Sequence, residues 1–362
     1  MAPHDIPREK LLITGVSGYV GFKTLLISLS RGYAIRALVR KDSHVTDLQN
    51  HSAAVAAALK SGQLEVAIVP DFLDQETIYT ALQGITVIIH IASPLAVQTE
   101  KYQEEIIQPA ISMVTTFLEA AARVPTVRRV VVTSSMVTLI PFEWNANPDS
   151  ERLYNTTDLN TTISTPPTSP MHAYWISKAL ARLATRNFIE THAPHFDYVN
   201  ILAGVIIGPD DRLIPSPTNN PTTADLLVGT RASIFAPLLG KGSSAPFPYV
   251  DVPVHVADVA KAHVDAVDST RVPGNSEFIL ASDATRGGVV WERDARAVAR
   301  KYFAKEVESG VFPMEGSLET IRWRVDTGET ERVFGWEHVG FEETMRGLVE
   351  QYLEIRGLER GE

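Results

Sequence analysis

The chain has 362 residues and a mass of 39.7 kDa, and it contains no cysteine, which excludes disulfides, cysteine metal sites and thiol catalysis. Hydrophobic residues make up 44% and charged residues 21% of the sequence, a composition typical of globular proteins and unlike that of disordered ones. The formal charge of −10 argues against nucleic acid or an anionic membrane surface as a partner. The polar N-terminus and the lack of a run of about 20 apolar residues predict a cytoplasmic protein without a membrane partner.

Up to about residue 205, short β-branched runs alternate with longer helical patterns. The predicted strands are Leu11–Thr14, Ala34–Val39, Leu64–Val69, Thr86–Ile91, Val130–Thr133 and Tyr198–Leu202. The predicted helices are Tyr19–Ser30, Val45–Lys60, Gln75–Leu82, Tyr102–Arg123 and Ala173–Thr191. Most strand runs are almost continuously apolar, as expected for strands covered on both faces. The alternation predicts an α/β fold with a doubly wound parallel sheet of the Rossmann type.

The pattern changes after residue 208, where several prolines interrupt the sequence up to residue 221. One strand-plus-helix unit returns at Pro253–Val267, and we expect Asp258 to cap a helix that starts at Val259. We therefore predict a nucleotide-binding Rossmann domain over residues 1–205, to which the returning unit adds, and a smaller mixed α/β substrate-binding domain over residues 206–362.

A glycine-rich loop joins the first predicted strand to the first predicted helix. Gly15, Gly18 and Gly21 have the spacing G-x-x-G-x-x-G. Gly15 permits a tight turn, Gly18 allows the backbone to approach a pyrophosphate, and Gly21 allows the helix to pack on the strand. The N–H groups and dipole of the helix N-terminus then face the phosphates, so the loop predicts a dinucleotide site.

The residues after the second and third strands bear on which dinucleotide binds. Arg40 and Lys41 follow the second strand, where an acidic residue would favour NAD and a basic one suits the 2′-phosphate of NADP. We predict NADP, although two solvated basic residues would give the same pattern. Asp71 follows the third strand, beside Phe72. Its carboxylate is placed to accept from the adenine amine, but an Asp that only forms a turn fits equally well.

Tyr174 and Lys178 are four residues apart on a predicted helix and therefore share a face. A tyrosine can protonate the alkoxide that forms when a hydride reduces a carbonyl. An ammonium about 4 Å away would stabilise tyrosinate by up to ~4 kcal/mol, so we expect Lys178 to lower the Tyr174 pKa. Ser135 ends a predicted strand at the ligand-binding edge of the sheet and is placed to hold the substrate oxygen.

These motifs resemble those of the extended short-chain dehydrogenases/reductases, and in particular the group of dihydroflavonol reductase, cinnamoyl-CoA reductase and the yeast-type aldehyde and ketone reductases. The resemblance covers most of the chain. It rests on Thr14–Gly21, His90–Pro94, Val132–Ser135, the pair of Tyr174 and Lys178, Gly208-Pro209 and Val254–Ala260.

The resemblance implies NADPH-dependent reduction of a small carbonyl compound. Tyr174 would be the general acid, Lys178 would lower its pKa and hold the nicotinamide ribose, and Ser135 would orient the carbonyl. Arg40 would take the 2′-phosphate and Asp71 the adenine. The candidate cofactor-binding residues are Gly15, Ser17, Gly18, Tyr19, Val20, Gly21, Arg40, Lys41, Asp71, Phe72, Ile91, Ala92, Ser93, Tyr174, Lys178 and Val205.

The chain departs from the family pattern at two places. Leu202-Ala203 stands where the family usually has Asn-Pro, so the pocket wall along the nicotinamide is altered. The stretch 111–116 carries no Asn, which puts a proton relay through that helix in doubt.

Four aromatic side chains leave structural and functional interpretations open. His90 fits a packed, hydrogen-bonded strand end slightly better than a catalytic role. His172 faces either the substrate or a surface turn. Phe142 and Trp144 would line an apolar pocket or belong to an ordinary covering loop.

Two other functions remain open from the sequence. One is a sugar-nucleotide epimerase or dehydratase that keeps NAD bound, and the other is a non-catalytic dinucleotide-binding regulator. The sequence identifies neither the substrate nor the oligomeric state, for which we expect a monomer or a homodimer.

Overall fold

Seven parallel strands form the main sheet of the computed structural model, which describes residues 9–94, 98–161, 166–245, 247–284 and 287–361. The strands are β1 Lys10–Thr14, β2 Ala34–Val39, β3 Leu64–Ile68, β4 Val87–His90, β5 Arg129–Ser135, β6 Asp197–Ala203 and β7 Ser276–Leu280. Their order across the sheet is β3-β2-β1-β4-β5-β6-β7. The order reverses between β1 and β4, so their carboxyl ends form the switch point where sheets of this kind bind ligands.

The helices fall between and after these strands. Among the described residues they are α1 Tyr19–Ser30, α2 Ser43–His51, α3 Ala53–Ser61, α4 Gln75–Ala81, α5 Gln108–Ala122, α6 Pro170–His192, α7 Thr223–Leu226, α8 Thr230–Phe235, α9 Val256–Asp265, α10 Trp291–Tyr302, α11 Ala304–Glu308, α12 Gly328–Phe334 and α13 Phe341–Arg360. None of the described helices has the length and apolar content of a membrane span.

The predicted fold class, a doubly wound α/β sheet, is confirmed. The prediction did not include β7 as a strand of this sheet. Its first two residues, Ser276 and Glu277, are polar and leave only a short apolar run, and a charged residue in a strand argues against burial on both faces. Glu277 is nevertheless only 7% exposed, because ion pairs described below compensate its charge.

Two predicted helices differ in the structure. The helix expected over Val45–Lys60 is broken at Ser52, whose backbone is extended, into α2 and α3. The helix expected over Tyr102–Arg123 begins instead with a π turn at Gln103–Ile107. Pro109 lies directly after this π turn, in the first turn of α5, where its missing N–H is tolerated.

The chain divides into two compact units that are not contiguous in sequence. The first comprises residues 1–143, 156–202 and 260–278, and the second comprises residues 144–155, 203–259 and 279–362. The prediction divides the chain near residue 205 and adds the unit Pro253–Val267 to the first domain. The units are not contiguous because β7 joins the main sheet after the chain has already formed part of the second unit.

A short parallel strand pair in the second unit joins Val205–Ile207 to Pro253–His255. Helix α9 starts directly afterwards at Val256, so the expected helix start at Val259 is wrong. Asp258 is therefore not an N-cap. It lies in the first turn of α9, and its Oδ2 accepts a hydrogen bond from Val339 N at 2.7 Å.

Each unit has an apolar core of its own. In the first unit, apolar residues of the sheet pack against Phe117 and Leu118 of α5, together with Leu12, Ile88 and Val130. The core of the second unit is built around the buried Trp291, with Phe235, Phe341, Leu348 and Tyr352 packed in the same cluster.

Candidate active site

The glycine loop between β1 and α1 requires glycine at two positions. Gly15 has a φ of +75°, and a Cβ there would lie 2.9 Å from Ala92 N. A Cβ on Gly21 would lie 2.0 Å from the carbonyl oxygen of Gly15, so only a glycine lets α1 pack this closely on the loop. Gly18 N donates to Gly15 O at 2.9 Å and closes the turn.

The N-terminus of α1 is suited to an anionic group. Gly18 occupies the N-cap position and has no side chain to cap the helix, and the first turn carries no acidic residue. The partial positive charge of the helix end is therefore not neutralised by a carboxylate of that turn. This geometry, with the close backbone packing at Gly15 and Gly21, fits a dinucleotide pyrophosphate.

Thr14 ties the end of β1 to the segment that follows β4. Its Oγ1 accepts hydrogen bonds from Ile91 N and Ala92 N, both at 3.0 Å, and lies 3.1 Å from His90 Nδ1. The sequence motifs assign Thr14 no role of its own. The contact depends on how the two strands pair, because the register of β1 on β4 sets Thr14 opposite His90.

His90 is a structural residue of the strand end, as the first of the two interpretations predicts. It is buried, and its ring lies 4.5 Å from that of Phe117. Burial, reinforced by the nearby charge of Lys178, lowers the pKa of His90 to about 3. The imidazole is therefore neutral at physiological pH and is not poised to exchange protons there.

Arg40 and Lys41 are exposed between β2 and α2. Neither side chain forms an ion pair with another residue in the described ranges. Their guanidinium and ammonium groups are available to an external anion, which fits the predicted 2′-phosphate contact.

Asp71 and Phe72, the candidate contacts of the adenine, differ in their exposure. Asp71 is exposed, and its Oδ1 accepts from Leu73 N at 2.8 Å, so the carboxylate forms the turn that the sequence left open. Phe72 is 6% exposed and packs edge-on against Phe117 at 5.9 Å. The ring of Phe72 thus belongs to the core, which leaves only its main chain for a cofactor contact.

Ser135, Tyr174 and Lys178 come together at the carboxyl end of β5. Ser169 caps α6 by accepting from His172 N at 3.1 Å, and Pro170 starts the helix, which places Tyr174 in its second turn. The Ser135 hydroxyl lies close enough to the Tyr174 phenol to lower its pKa. The Nζ of Lys178 lies 5.7 Å from the centroid of the Tyr174 ring.

Lys178 is 7% exposed and donates from Nζ to Ser93 Oγ at 3.0 Å. Ser93 follows β4, so this bond joins α6 to the segment that Thr14 anchors. The stretch 111–116 of α5 does not supply this partner, and Thr115 of that stretch bonds back to Ile111 O at 3.0 Å.

The pKa values of this group differ from the sequence-based expectation. Burial raises the pKa of Tyr174 to about 12, and the hydrogen bond to Ser135 offsets only part of that rise. Burial also lowers the pKa of Lys178 to about 8. The expected lowering of the Tyr174 pKa by Lys178 is therefore not found, and the one lowering contribution comes from Ser135. At neutral pH the phenol carries its proton and is a donor.

The remaining candidates lie in packed surroundings. His172 is buried, which contradicts the surface-turn alternative, and its ring stacks on Phe142 at 4.6 Å. In the second unit, Trp144 donates from Nε1 to the hydroxyl of Tyr154 at 2.9 Å within an aromatic cluster. Val205 is 8% exposed and its side chain is part of the apolar core of that unit.

Comparisons with known proteins agree with this arrangement. The sequence profile of the NAD dependent epimerase/dehydratase family matches residues 11–280. Ketoreductase CTB6 of Cercospora nicotianae is 30% identical over 357 residues, which cover 97% of both chains. Aldehyde reductase 2 of Sporidiobolus salmonicolor is 32% identical over 208 residues, which cover 55% of this chain and 57% of that protein.

Among solved structures, the yeast methylglyoxal/isovaleraldehyde reductase Gre2 complexed with NADPH has a TM-score of 0.76 at 18% identity, covering 96% of this chain and 99% of Gre2. At this identity the likeness shows the fold. The described residues contain no cluster of side chains that could hold a metal ion. The family match and the full-length similarity to a ketoreductase together show that the chain is an oxidoreductase that belongs to the NAD dependent epimerase/dehydratase family, within the extended short-chain dehydrogenases/reductases.

Proposed function

We propose that the chain is an NADPH-dependent reductase that acts on the carbonyl of a small, partly apolar ketone or aldehyde. The observation that carries the proposal is the convergence of Ser135, Tyr174 and Lys178, with a protonated phenol between a hydroxyl and an amine. Relatives named ketoreductase and aldehyde reductase support the same reaction class.

The geometry above supports a set of residues that would hold NADPH. The main chain of the glycine loop suits the pyrophosphate, Arg40 and Lys41 suit the 2′-phosphate, and Lys178 suits the nicotinamide ribose. Asp71 and the main chain of Phe72 would face the adenine. NADPH, when bound, supplies the hydride that reduces the carbonyl carbon.

Two side chains of the protein act on the carbonyl oxygen of the substrate. The Ser135 hydroxyl orients this oxygen, and the Tyr174 hydroxyl donates its proton as negative charge develops there. A phenol that holds its proton at neutral pH gives it up to the more basic alkoxide. The phenolate that remains is stabilised by the Lys178 ammonium, whose charge acts strongly because both groups are screened from water.

The test is NADPH consumption by the purified chain with a panel of ketones and aldehydes. Tyr174→Phe removes the proton donor with little change of shape, and we expect it to lose most of the rate. Tyr79→Phe, on α4, is the matched control and should keep full activity. A Tyr174→Phe variant with wild-type turnover would overturn the assignment of the acid.

The two other functions have distinct outcomes. A sugar-nucleotide epimerase or dehydratase would purify with NAD tightly bound and would ignore added NADPH. A non-catalytic regulator would turn over no carbonyl compound and would tolerate loss of Ser135, Tyr174 and Lys178 without losing its partner. Arg40 and Lys41 argue against a site for NAD, and the proximity of Lys178 and Ser135 to Tyr174 argues against a purely regulatory protein.

The proposal also includes a cytoplasmic location and a monomeric or homodimeric state. Cell fractionation and light scattering test these two points.

A further inference from the structure

A buried charged network lies on α6, two helical turns beyond Tyr174. Arg182 continues the series of Tyr174 and Lys178 at intervals of four residues and therefore lies on the same face of the helix. Its side chain is completely buried, and its main partner is Glu277 of β7. The reaction proposed above uses neither residue directly.

All five N–H donors of Arg182 are used. Nε donates to Glu277 Oε2 at 3.1 Å, and Nη2 donates to the same oxygen and to Thr156 O, both at 2.5 Å. Nη1 donates to Thr138 Oγ1 at 2.9 Å and to Asp158 O at 3.2 Å. A lysine has three donors and no planar fork, so it cannot satisfy this set of acceptors.

Glu277 is held in its charged form by the same network. Burial alone would raise the pKa of this carboxyl, but hydrogen bonds from Arg182 and Arg186 outweigh burial and keep the pKa below its ordinary value. Arg186 Nε and Asn200 Nδ2 both donate to Oε1, at 3.1 and 2.8 Å. Glu277 thus fixes the guanidinium of Arg182 at Nε and Nη2, while Nη1 contacts Thr138.

Thr138 connects this network to the candidate active site. Its hydroxyl has one proton, which it donates to the carbonyl oxygen of Ser135 at 2.8 Å. The hydroxyl therefore accepts, and does not donate, in its bond with Arg182. The direction of the chain of hydrogen bonds is fixed, from the Arg182 guanidinium through Thr138 to the main chain of Ser135.

We infer that Arg182 is a positioning residue: through Thr138 it sets the main chain of Ser135 relative to Tyr174, which the same helix carries. The inference rests on the proposed function, because it assigns a task to the network within that reaction. A shift of Ser135 would misplace the hydroxyl that orients the carbonyl, and small displacements of this kind cost turnover more than binding.

The decisive variant is Thr138→Val, which keeps the branched shape and removes the link between Arg182 and Ser135. We expect kcat to fall about tenfold, while the KM for NADPH and the binding stoichiometry stay near wild type. Thr138→Ser restores the hydroxyl and should restore kcat. A Thr138→Val enzyme with wild-type kcat would overturn the inference.

Arg182→Lys has a matched control in Arg129→Lys. Arg129 is a buried arginine at the opposite end of β5, where it binds Asp197 and the carbonyl oxygens of Ala266 and Val272. Both variants should lose stability, but only Arg182→Lys should lose kcat per folded, NADPH-binding molecule. Equal losses of kcat in both variants would reduce Arg182 to a structural role and contradict the inference.

A readout that needs no turnover separates this inference from the proposed function. The ¹³C NMR signal of the Tyr174 Cζ, assigned with Tyr174→Phe, reports the interaction of the phenol with the Ser135 hydroxyl. It should move in Thr138→Val, return in Thr138→Ser and stay in place in Arg129→Lys. If wild-type protein reduces no carbonyl, the proposed function fails. The NMR signal still tests whether Arg182 positions Ser135 through Thr138. An unmoved signal in Thr138→Val would overturn the positioning in either case.

Discussion

Thr14 and His90 lie opposite each other at the carboxyl ends of β1 and β4, with Thr14 Oγ1 3.1 Å from His90 Nδ1. The Thr14 hydroxyl already accepts two main-chain N–H groups, so its own proton is directed to Nδ1. His90 must then be neutral and carry its proton on Nε2, which agrees with its low pKa of about 3. This pair fixes the segment 91–93 beside the glycine loop.

Thr14→Val should destabilise the protein by about 2 kcal/mol, because the N–H groups of Ile91 and Ala92 lose their acceptor. NADPH should also bind more weakly, since the segment 91–93 is no longer held. Urea unfolding and cofactor titration measure the two effects. Thr14→Ser keeps the hydroxyl and is the control, and equal stability of the Val and Ser variants would contradict this account.

Gly21→Ala should lower NADPH affinity more than tenfold and destabilise the protein by about 1–3 kcal/mol. The reason is that a Cβ at this position would lie 2.0 Å from Gly15 O, so α1 must move away from the loop. Gly357→Ala, in α13, is a matched change in a helix where a Cβ meets no atom within 4 Å. It should stabilise the protein by up to about 1 kcal/mol through helix propensity. Similar effects of the two substitutions, measured by thermal unfolding, would rule out the packing argument.

Lys178→Met should abolish activity but raise the free energy of unfolding at pH 7. Burial lowers the pKa of Lys178 from 10.5 to about 8, so the charged form costs up to about 3 kcal/mol below pH 8. Between these pH values the unfolded chain binds a proton that the folded chain does not, so wild-type stability rises with pH. The advantage of the variant should therefore shrink as the pH rises from 8 towards 10.5.

Denaturation curves across this pH range measure the difference between wild type and Lys178→Met. The control is Lys41→Met at an exposed site, which should change stability by less than about 0.5 kcal/mol. A difference between wild type and Lys178→Met that stays constant with pH would show that the buried amine is not the source of the cost.

Arg40→Ala should lower kcat/KM for NADPH about tenfold to a hundredfold and change the value for NADH little, because only NADPH has the 2′-phosphate. The loss should be smaller at high salt, where an exposed charge is screened. Arg152→Ala, on the exposed side of the second unit, controls for loss of positive charge. Equal losses with both cofactors would argue against a phosphate contact at Arg40.

The sequence predicts the sheet and the location of the site well, because both depend on local patterns. Apolar runs indicate the first six strands, and the spacing of Gly15, Gly18 and Gly21 predicts the turn that the structure contains. The position of Ser135 at a strand end and of Tyr174 on the following helix also follows from local pattern. Their assigned roles in the reaction stay predictions.

The sequence does not predict what depends on burial and on distant partners. The predicted sign of the Tyr174 pKa shift was wrong because burial raises this pKa, and a spacing of four residues carries no information on burial. The strand β7 was missed because its first two residues are polar and its apolar run is short. The residue that compensates the charge of Glu277, Arg182, lies 95 positions away. Such a pair becomes visible only when the chain is folded.

The sequence separation of Arg182 and Glu277 has a consequence for biosynthesis. A chain emerging from the ribosome can form the first strands and the glycine loop early, but Arg182 meets its carboxylate only after residue 277 has been made. Until then, seating α6 would bury an uncompensated guanidinium, at a cost of about 3–5 kcal/mol. The group of Ser135, Tyr174 and Lys178 is therefore expected to be completed late in cotranslational folding, and a nascent chain that stops short of β7 carries the glycine loop without the finished group.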